Sequence, residues 1–133
     1  VSGYQIADGK WLIANSALMF RFEELEIWRL AVYYAKDCYK IAEEFPRHET
    51  YALADQLRRA SISISNNIVE GSVGSGFNFR KYLNFSVGSA LETLNIINFA
   101  FEVGYVKPEK RNEMYGKGET IIKMTRSFAK TLK

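Results

Sequence analysis

The chain has 133 residues, the length of one domain, and a chain of this size can cover about two-thirds of its unfolded surface. Apolar residues make up 47% and charged residues 25%, which excludes wholesale disorder, and one cysteine and one histidine exclude an intramolecular disulfide or a Cys/His zinc site. The net charge of +3 is uneven, since residues 107–133 carry eight basic and three acidic side chains. No apolar run is long enough for a membrane span and no secretory leader pattern opens the chain, so we expect a cytoplasmic protein that does not bind membranes.

Residues 1–20 show no helical periodicity. The Asp-Gly pair at 8–9 predicts a turn, and the stretch 10–18 fits either a strand or a short helix. Met19 stands directly before the first helical pattern, where a natural start codon would fall. We expect residues 1–20 to be an N-terminal extension outside the core, the alternative being that they pack on it as genuine structure.

Two helical segments follow. The first runs from about Phe22 to Phe45 and is stopped by Pro46, and the second runs from Glu49 into the glycine-rich stretch 71–76. In the first segment one apolar stripe is accompanied by a second apolar face. The stripe is Leu25, Trp28, Val32, Ala35, Tyr39 and Ala42, the neighbouring face is Ile27, Leu30, Tyr34 and Ile41, and the inward residues of the second segment are Leu53, Leu57, Ala60, Ile64 and Ile68.

Two further helical segments complete the chain. The third spans about Phe77 to Val103 and ends at Gly104, and the fourth begins at Pro108. The stripe of the third is Leu83, Val87, Ala90, Leu94, Ile97 and Phe101, its second face is Phe85, Ile96, Phe99 and Val103, and the stripe of the fourth is Met114, Ile121, Phe128 and Leu132. Four helices with short loops predict an all-α fold, an antiparallel up-and-down four-helix bundle over residues 21–133.

The second apolar faces of the first and third helices predict self-association. A four-helix bundle buries one stripe on each helix, so helices that are apolar on two faces need another partner surface. We predict a homo-oligomer, most readily a cyclic ring, with Ile27, Tyr34, Ile96 and Phe99 at the interface.

Polar residues concentrate in the second helix. Arg58, Arg59, Asn67 and Glu70 lie there, and Glu92 lies on the helix expected to run beside it. One hypothesis makes the carboxylates an acid/base pair or a metal site, although the Glu-x-x-His motifs of di-metal bundles are absent. The other, which we favour, is a buried hydrogen-bonded network that fixes helix register.

No pattern of catalytic or cofactor-binding residues emerges elsewhere. The glycines at 71–76 lack the strand and the Gly-Lys-Ser/Thr sequence of a phosphate-binding loop. Cys38 is expected to be a buried thiol and His48 a loop residue. We therefore predict no enzyme activity, no cofactor and no metal site.

Four cations near the C-terminus form a candidate binding strip. Lys123, Arg126, Lys130 and Lys133 are spaced i, i+3, i+7 and i+10, which places them within about 80° of a helix surface. The apolar positions of that helix centre about 140° away, so the strip should face solvent. We predict contact with nucleic-acid backbone without base reading, the alternative being a solvated face with cations well placed near a helix C-terminus.

Several short motifs carry a family resemblance. They are Phe22-x-x-Leu25-x-x-Trp28, Phe45-Pro46, Gln56-Leu57-Arg58-Arg59, Asn67-Ile68-x-Glu70-Gly71, Gly88-Ser89-x-Leu91-Glu92 and Gly104-Tyr105. Over about residues 20–130 this pattern resembles the four-helix-bundle family of ribosomal-RNA intervening-sequence proteins. The accessory variability protein of diversity-generating retroelements is similar to that family.

The resemblance implies a small antiparallel bundle that assembles into a ring, often a pentamer, with no established enzymatic activity. It also implies partners, because the retroelement relatives bind nucleic acid and a reverse transcriptase. Family members often carry basic residues just after Glu-Gly, where this chain has Ser72 to Ser75, and that difference argues against a nucleic-acid patch at this loop.

Two functional hypotheses result. The first is a non-catalytic oligomeric bundle that binds RNA or DNA, or a nucleic-acid-processing enzyme, through basic surfaces. The second is a structural or adaptor protein that binds only other proteins.

Overall fold

The computed structural model describes residues 20–133 and, ahead of them, the backbone of three short strands. These are β1 Tyr4–Ala7, β2 Lys10–Ile13 and β3 Ser16–Ala17, which pair antiparallel in the order β1-β2-β3. Of the two forms considered for 10–18, the strand is therefore the one seen over 10–13 and 16–17. The expected turn at 8–9 and Met19 lie outside the described residues.

Four helices account for most of the remaining chain, as predicted. They are α1 Glu26–Glu43, α2 Leu53–Ser72, α3 Gly76–Glu102 and α4 Pro108–Lys130, with short 3-10 turns at Arg21–Glu24 and Arg47–Glu49. Each helix packs against the next, and α4 closes the bundle against α1, so that α1 and α3 lie on a diagonal. None of the helices in the described part of the chain is long and apolar enough to cross a bilayer.

The end of α3 shows how the sequence sets the helix boundaries. Gly104 has a φ of 88°, a left-handed conformation that glycine adopts without strain. Its N–H donates to Phe101 O at 3.0 Å, and the Tyr105 N–H donates to Ala100 O at 2.8 Å, the paired bonds of a Schellman C-cap. Pro108 then occupies the first turn of α4, where its missing N–H costs nothing.

The core confirms the predicted stripes of α2 and α3, including buried Leu57 and Leu94, and corrects the stripe of α1. Of the stripe predicted for α1, Ala35 and Ala42 are buried but Tyr39 is exposed. In the neighbouring face Ile27, Tyr34 and Ile41 are buried. Both sets repeat at heptad spacing, so periodicity alone does not show which set faces the core. The buried face of α1 is Ile27, Ala31, Tyr34, Ala35, Cys38, Ile41 and Ala42.

Small residues bring α2 and α3 close together. A Cβ at Gly71 would lie 2.7 Å from the Tyr82 Cβ and 2.9 Å from the Phe79 Cδ1, so glycine is required at this approach. The buried Ser86 hydroxyl donates to Ile64 O at 2.8 Å across the same contact. The polar and small composition of α2 therefore serves helix packing.

Candidate nucleic-acid interface

The four predicted cations all lie exposed, three of them on the outer surface of α4 and Lys133 just beyond the end of the helix. Lys123, Arg126, Lys130 and Lys133 are solvent-accessible, while the intervening Thr125 is buried. The inward positions Ile121 and Ile122 are buried as well, which fixes the rotation of the helix about its axis. We call these four cations the basic strip.

The strip has little negative charge near it in sequence. Residues 120–133 contain no Asp or Glu. Among residues 20–133 the strip makes one ion pair, from the Lys123 Nζ to the Glu119 Oε2 at 3.8 Å, and both side chains are largely exposed. Exposed pairs of this kind neutralise each other weakly, so the strip keeps its positive potential.

The C-terminal half of α4 is held against the N-terminal half of α3. The Phe79 and Phe128 rings meet edge to face at 5.5 Å between centroids. The Arg80 Nη1 donates to Leu132 O at 2.7 Å, which ties the end of the chain to α3. These contacts place the basic strip beside the outer surface of α3.

That outer surface of α3 was missed by the sequence analysis. Five residues line a shallow depression of about 400 Å³ there, and we call them the aromatic–basic face: Phe77, Arg80, Lys81, Asn84 and Phe85. We had expected Phe85 to belong to a second packing face, but its side chain is exposed. A signal was present, because residues 76–91 contain no Asp or Glu and place two adjacent basic residues among four aromatic ones.

The predicted network of arginines and glutamates does not form. Glu70 and Glu92 are both exposed and contact neither arginine. Arg59 pairs with Asp55 at 2.7 Å on the surface, and Arg58 donates to Thr50 O at 2.9 Å, which closes the loop before α2. The prediction was wrong because α2 presents small and neutral residues, including Ser63, rather than its charged residues to α3.

A smaller neutral cluster stands where that network was expected. The Asn67 Nδ2 donates to Ser63 O at 2.8 Å and to the Ser63 Oγ at 3.2 Å. The Ser89 Oγ on α3 donates to the Ser63 Oγ at 3.0 Å. Asn67 is thus the one predicted member that joins a polar cluster between α2 and α3.

Three of the four residues predicted at an oligomer interface lie in the core of the protomer. Ile27, Tyr34 and Ile96 are buried, and the Tyr34 hydroxyl donates to Met114 O at 3.1 Å. Burial also raises the pKa of Tyr34 well above its ordinary range, with the nearby Cys38 as the second cause. The prediction was wrong for these three because they form the inward faces of α1 and α3. Phe99 alone is exposed, at 54%.

An apolar surface does exist elsewhere, between α1 and α2. We call it the α1–α2 groove, a depression of about 410 Å³ floored by apolar side chains and edged by two lysines. Its residues are Val32, Ala35, Lys36, Tyr39, Lys40, Ile62 and Ser65. Val32, Ala35 and Tyr39 come from the stripe predicted for α1, and Ile62 comes from the exposed side of α2.

The lone cysteine and histidine offer no evident chemistry. Cys38 is fully buried, and burial raises the pKa of its thiol to about 12, so little thiolate forms at neutral pH. His48 is exposed, with its Nε2 3.4 Å from the Tyr105 hydroxyl, which donates to the Glu49 Oε2 at 2.8 Å. Within the described residues no group of three His, Cys, Asp or Glu side chains converges as metal ligands.

Comparisons with known proteins agree with this architecture. A family model described as "23S rRNA-intervening sequence protein" matches residues 23–127. A crystal structure from Bacteroides thetaiotaomicron, of a protein with unknown function from the S23 ribosomal protein family, superposes with a TM-score of 0.70. The alignment covers 78% of this chain and 98% of the other. The two sequences are 21% identical, and at that level of identity the likeness shows the fold alone. The comparison with curated proteins finds no match. The family match extends over most of the chain and all four helices, and the chain belongs to the 23S rRNA-intervening sequence protein family.

Proposed function

We propose that this protein is a non-catalytic, oligomeric helical bundle that binds the backbone of RNA or DNA through the basic strip. The observation that carries the proposal is the exposure of all four cations over residues 120–133, the end of α4 and the residues after it, which contain no acidic residue. Cations in this arrangement contact phosphates by charge, and such contacts give affinity without sequence reading.

Oligomerisation would multiply the effect of the strip. One subunit offers four cations, whereas a closed ring repeats the strip once per subunit and joins several short strips into a larger positive surface. We therefore propose the ring as part of the function. A single protomer would bind weakly and lose its ligand at moderate salt.

Two surfaces of the protomer are complementary enough to build such a ring. The α1–α2 groove is apolar with Lys36 and Lys40 at its edge. The C-terminal half of α3 exposes Phe99 and Val103 on the same helix face as Glu92. A contact between these two different surfaces is head-to-tail, and head-to-tail contacts close into rings when the rotation permits.

Light scattering at micromolar concentration tests the oligomer. We expect a mass that is a multiple of the 15.3 kDa protomer. Phe99→Lys should reduce that mass because it places a cation against the lysines of the groove. The matched control is Tyr51→Lys, at an aromatic residue 93% exposed in the loop before α2. A wild-type protein that scatters as a 15.3 kDa particle would remove the ring from the proposal.

A pair of matched charge reversals tests nucleic-acid binding. Arg126→Glu/Lys130→Glu reverses two strip cations, and Arg47→Glu/Lys107→Glu makes the same change at the opposite end of the bundle. With a fluorescent single-stranded oligonucleotide at low salt, the first variant should bind about tenfold more weakly or worse, and the second should resemble the wild type. Equal losses in both variants would show a general charge effect and contradict a defined site.

The α1–α2 groove favours a second candidate, an adaptor that binds only other proteins. Its floor is apolar, and apolar depressions with charged edges are typical of protein interfaces. If the wild-type chain shows no salt-dependent binding to RNA or DNA, this candidate replaces the first.

A further inference from the structure

Two large apolar rings stand in solvent at the start of α3. Phe77 is 70% exposed and Phe85 is 50% exposed, although phenylalanine is among the residues most often buried. Phe85 is supported from one side by Tyr82, whose ring lies edge-on at 5.6 Å between centroids. The described residues 20–133 leave these two rings largely uncovered.

Positive charge surrounds these rings. Arg80 and Lys81 lie between them in sequence, and neither makes an ion pair with any residue in the described range 20–133. The bond from Arg80 to Leu132 O ties this face to the end of α4, beside Lys130 and the rest of the basic strip. Residues 76–91 and 120–133 therefore pack side by side as antiparallel stretches. Together these two stretches contain six cations and no Asp or Glu.

We propose that the aromatic–basic face extends the basic strip into a site for single-stranded nucleic acid, whose bases stack on Phe77 and Phe85 while the cations hold its phosphates. This rests on the proposed function, which concerns the backbone alone, and adds the kind of nucleic acid. Sites for single strands combine a positive track with exposed aromatic side chains, because every base has a face that can stack.

The placement of the rings suits an extended strand. Phe77 and Phe85 are eight residues apart, which separates them by about 12 Å along the helix axis and by about 80° around it. Both therefore open on one side of α3, with Lys81 between them. A strand running along this side meets ring, cation and ring in turn.

A duplex cannot use these rings in the same way. Its bases are already stacked and paired in the interior, so only the phosphates are available to a helix face. The strip alone predicts binding to duplex DNA at least as tight as to a single strand, because the duplex has the higher charge density. The strip with the rings predicts a preference for the single strand.

Three probes of equal length separate stacking from charge: an oligothymidylate, an abasic strand with the same phosphates, and a duplex. The wild type should bind the oligothymidylate more tightly than the other two. The wild-type preference for the oligothymidylate over the abasic strand should fall by about fivefold or more for each ring lost. In Phe77→Ala/Phe85→Ala the oligothymidylate should therefore bind no more tightly than the abasic strand. Phe77→Trp/Phe85→Trp should retain the preference because tryptophan also stacks.

A control variant and four possible results decide whether the two rings bind bases. Tyr51→Ala removes an exposed aromatic residue at the other end of the bundle and should change nothing. The inference is overturned if the wild type binds the thymidylate and abasic strands equally, or if the double alanine variant keeps the wild-type preference. The proposed function survives either result, provided that charge reversal on the strip still weakens binding. It is also overturned if the alanine variant changes the oligomer mass, since the rings then contact another copy of the chain. If the wild type binds none of the three probes, the proposed function and this inference fail together.

Discussion

Two contacts between helices in this bundle are built in opposite ways. The contact between α2 and α3 is closed by small residues, with Gly71 against the Tyr82 Cβ and Ser86 bonded to Ile64 O. The contact between α1 and α4 is open, with a groove of about 310 Å³ spanned on the surface by the 2.9 Å bond from Lys117 to Asp37. Close approach makes the first rigid, whereas long side chains leave the second room to adjust.

Local hydrogen bonds explain how α2 buries so many hydroxyls. Ser61 donates to Arg58 O at 3.0 Å, and Ser65 donates to Ile62 O at 3.2 Å, both within their own helix. Ser72 donates to Val69 O in the same manner. Because each hydroxyl is satisfied within its own helix, it can be buried at a contact between helices, as Ser65 is beside the α1–α2 groove. Serine on α2 thus acts as a small packing residue.

The largest expected effect comes from truncating an apolar residue at the closed contact. Ile64→Ala should lower the free energy of unfolding by about 2–5 kcal/mol, because a fully buried side chain leaves a cavity between close helices. Leu30→Ala, at the α1–α4 groove, should lower it by only about 1 kcal/mol, because that side chain is half-buried beside open space. Urea unfolding measures both, and equal losses would contradict the comparison.

Glycine substitutions probe the rigidity of the two contacts directly. Gly71→Ala should destabilise the protein by about 1–3 kcal/mol, because the new Cβ meets the Tyr82 Cβ and the Phe79 backbone, which cannot move aside cheaply. Gly118→Ala meets side-chain atoms alone, the Tyr34 hydroxyl and the Leu94 methyls, and should destabilise the protein by about 1 kcal/mol, less than Gly71→Ala.

The control for this pair is Gly88→Ala on the exposed side of α3. Nothing lies within 4 Å of the added Cβ, so the better helix propensity of alanine should raise stability by about 0.5–1 kcal/mol. Thermal melts of the three variants should rank Gly88→Ala highest and Gly71→Ala lowest. Any other order would show that the approach of α2 to α3 is looser than described.

A buried hydroxyl on α4 contrasts with the serines of α2. The Thr125 Oγ1 is buried and has no hydrogen-bond partner among the described residues. Thr125→Val keeps the shape of the side chain and removes the unsatisfied group, so we expect the free energy of unfolding to rise by about 1 kcal/mol. Destabilisation on calorimetry would show that the hydroxyl has a partner in solution.

The smallest effect belongs to the two ion pairs of Lys117, one with Asp37 across the α1–α4 groove and one with Glu113 within α4. A hydrogen bond from Lys117 lowers the pKa of Glu113, and a hydrogen bond to Asp37 raises the pKa of Lys117. A carboxyl group whose pKa is lower in the folded protein stabilises the fold at pH values above its pKa in the unfolded chain. That stabilisation is lost as the pH falls through the pKa in the folded protein. Lys117→Met should therefore cost less than about 1 kcal/mol near pH 7, because the pairs are exposed, and this cost should disappear as the pH falls through the lowered pKa of Glu113. A pH-independent difference in melting temperature would assign the effect to packing.

Several features could be read from the sequence because they depend on local chemistry. The breaks at Pro46 and Gly104 and the inward stripes of α2 and α3 follow from backbone preference and periodicity. The rotation of α1 could not, since two heptad stripes of similar quality lie on one helix. The face of α1 that carries Tyr34 is buried because it packs against α4, where Met114 O accepts a hydrogen bond from the Tyr34 hydroxyl.

The two parts of the candidate site also differ in how well the sequence predicts them. Exposure of the basic strip was expected, because four charged residues within one arc of a helix avoid the core. The aromatic–basic face could not be anticipated from periodicity, since Phe85 and Phe77 look like core residues until α2 and α4 are seen to cover the other sides of α3. Likewise, serines bonded within their own helix look in sequence like members of a functional network.

The salt dependence of oligonucleotide binding tests the central claim most directly. For a single strand, the logarithm of the association constant falls with the logarithm of salt concentration by about 0.7 for every phosphate contact. The wild-type slope should be steeper than that of Arg126→Glu/Lys130→Glu by about 1.4, the share of two contacts, and equal to that of Arg47→Glu/Lys107→Glu. A wild-type slope near zero, or a slope that the strip variant leaves unchanged, would contradict the assignment of the basic strip as the nucleic-acid interface.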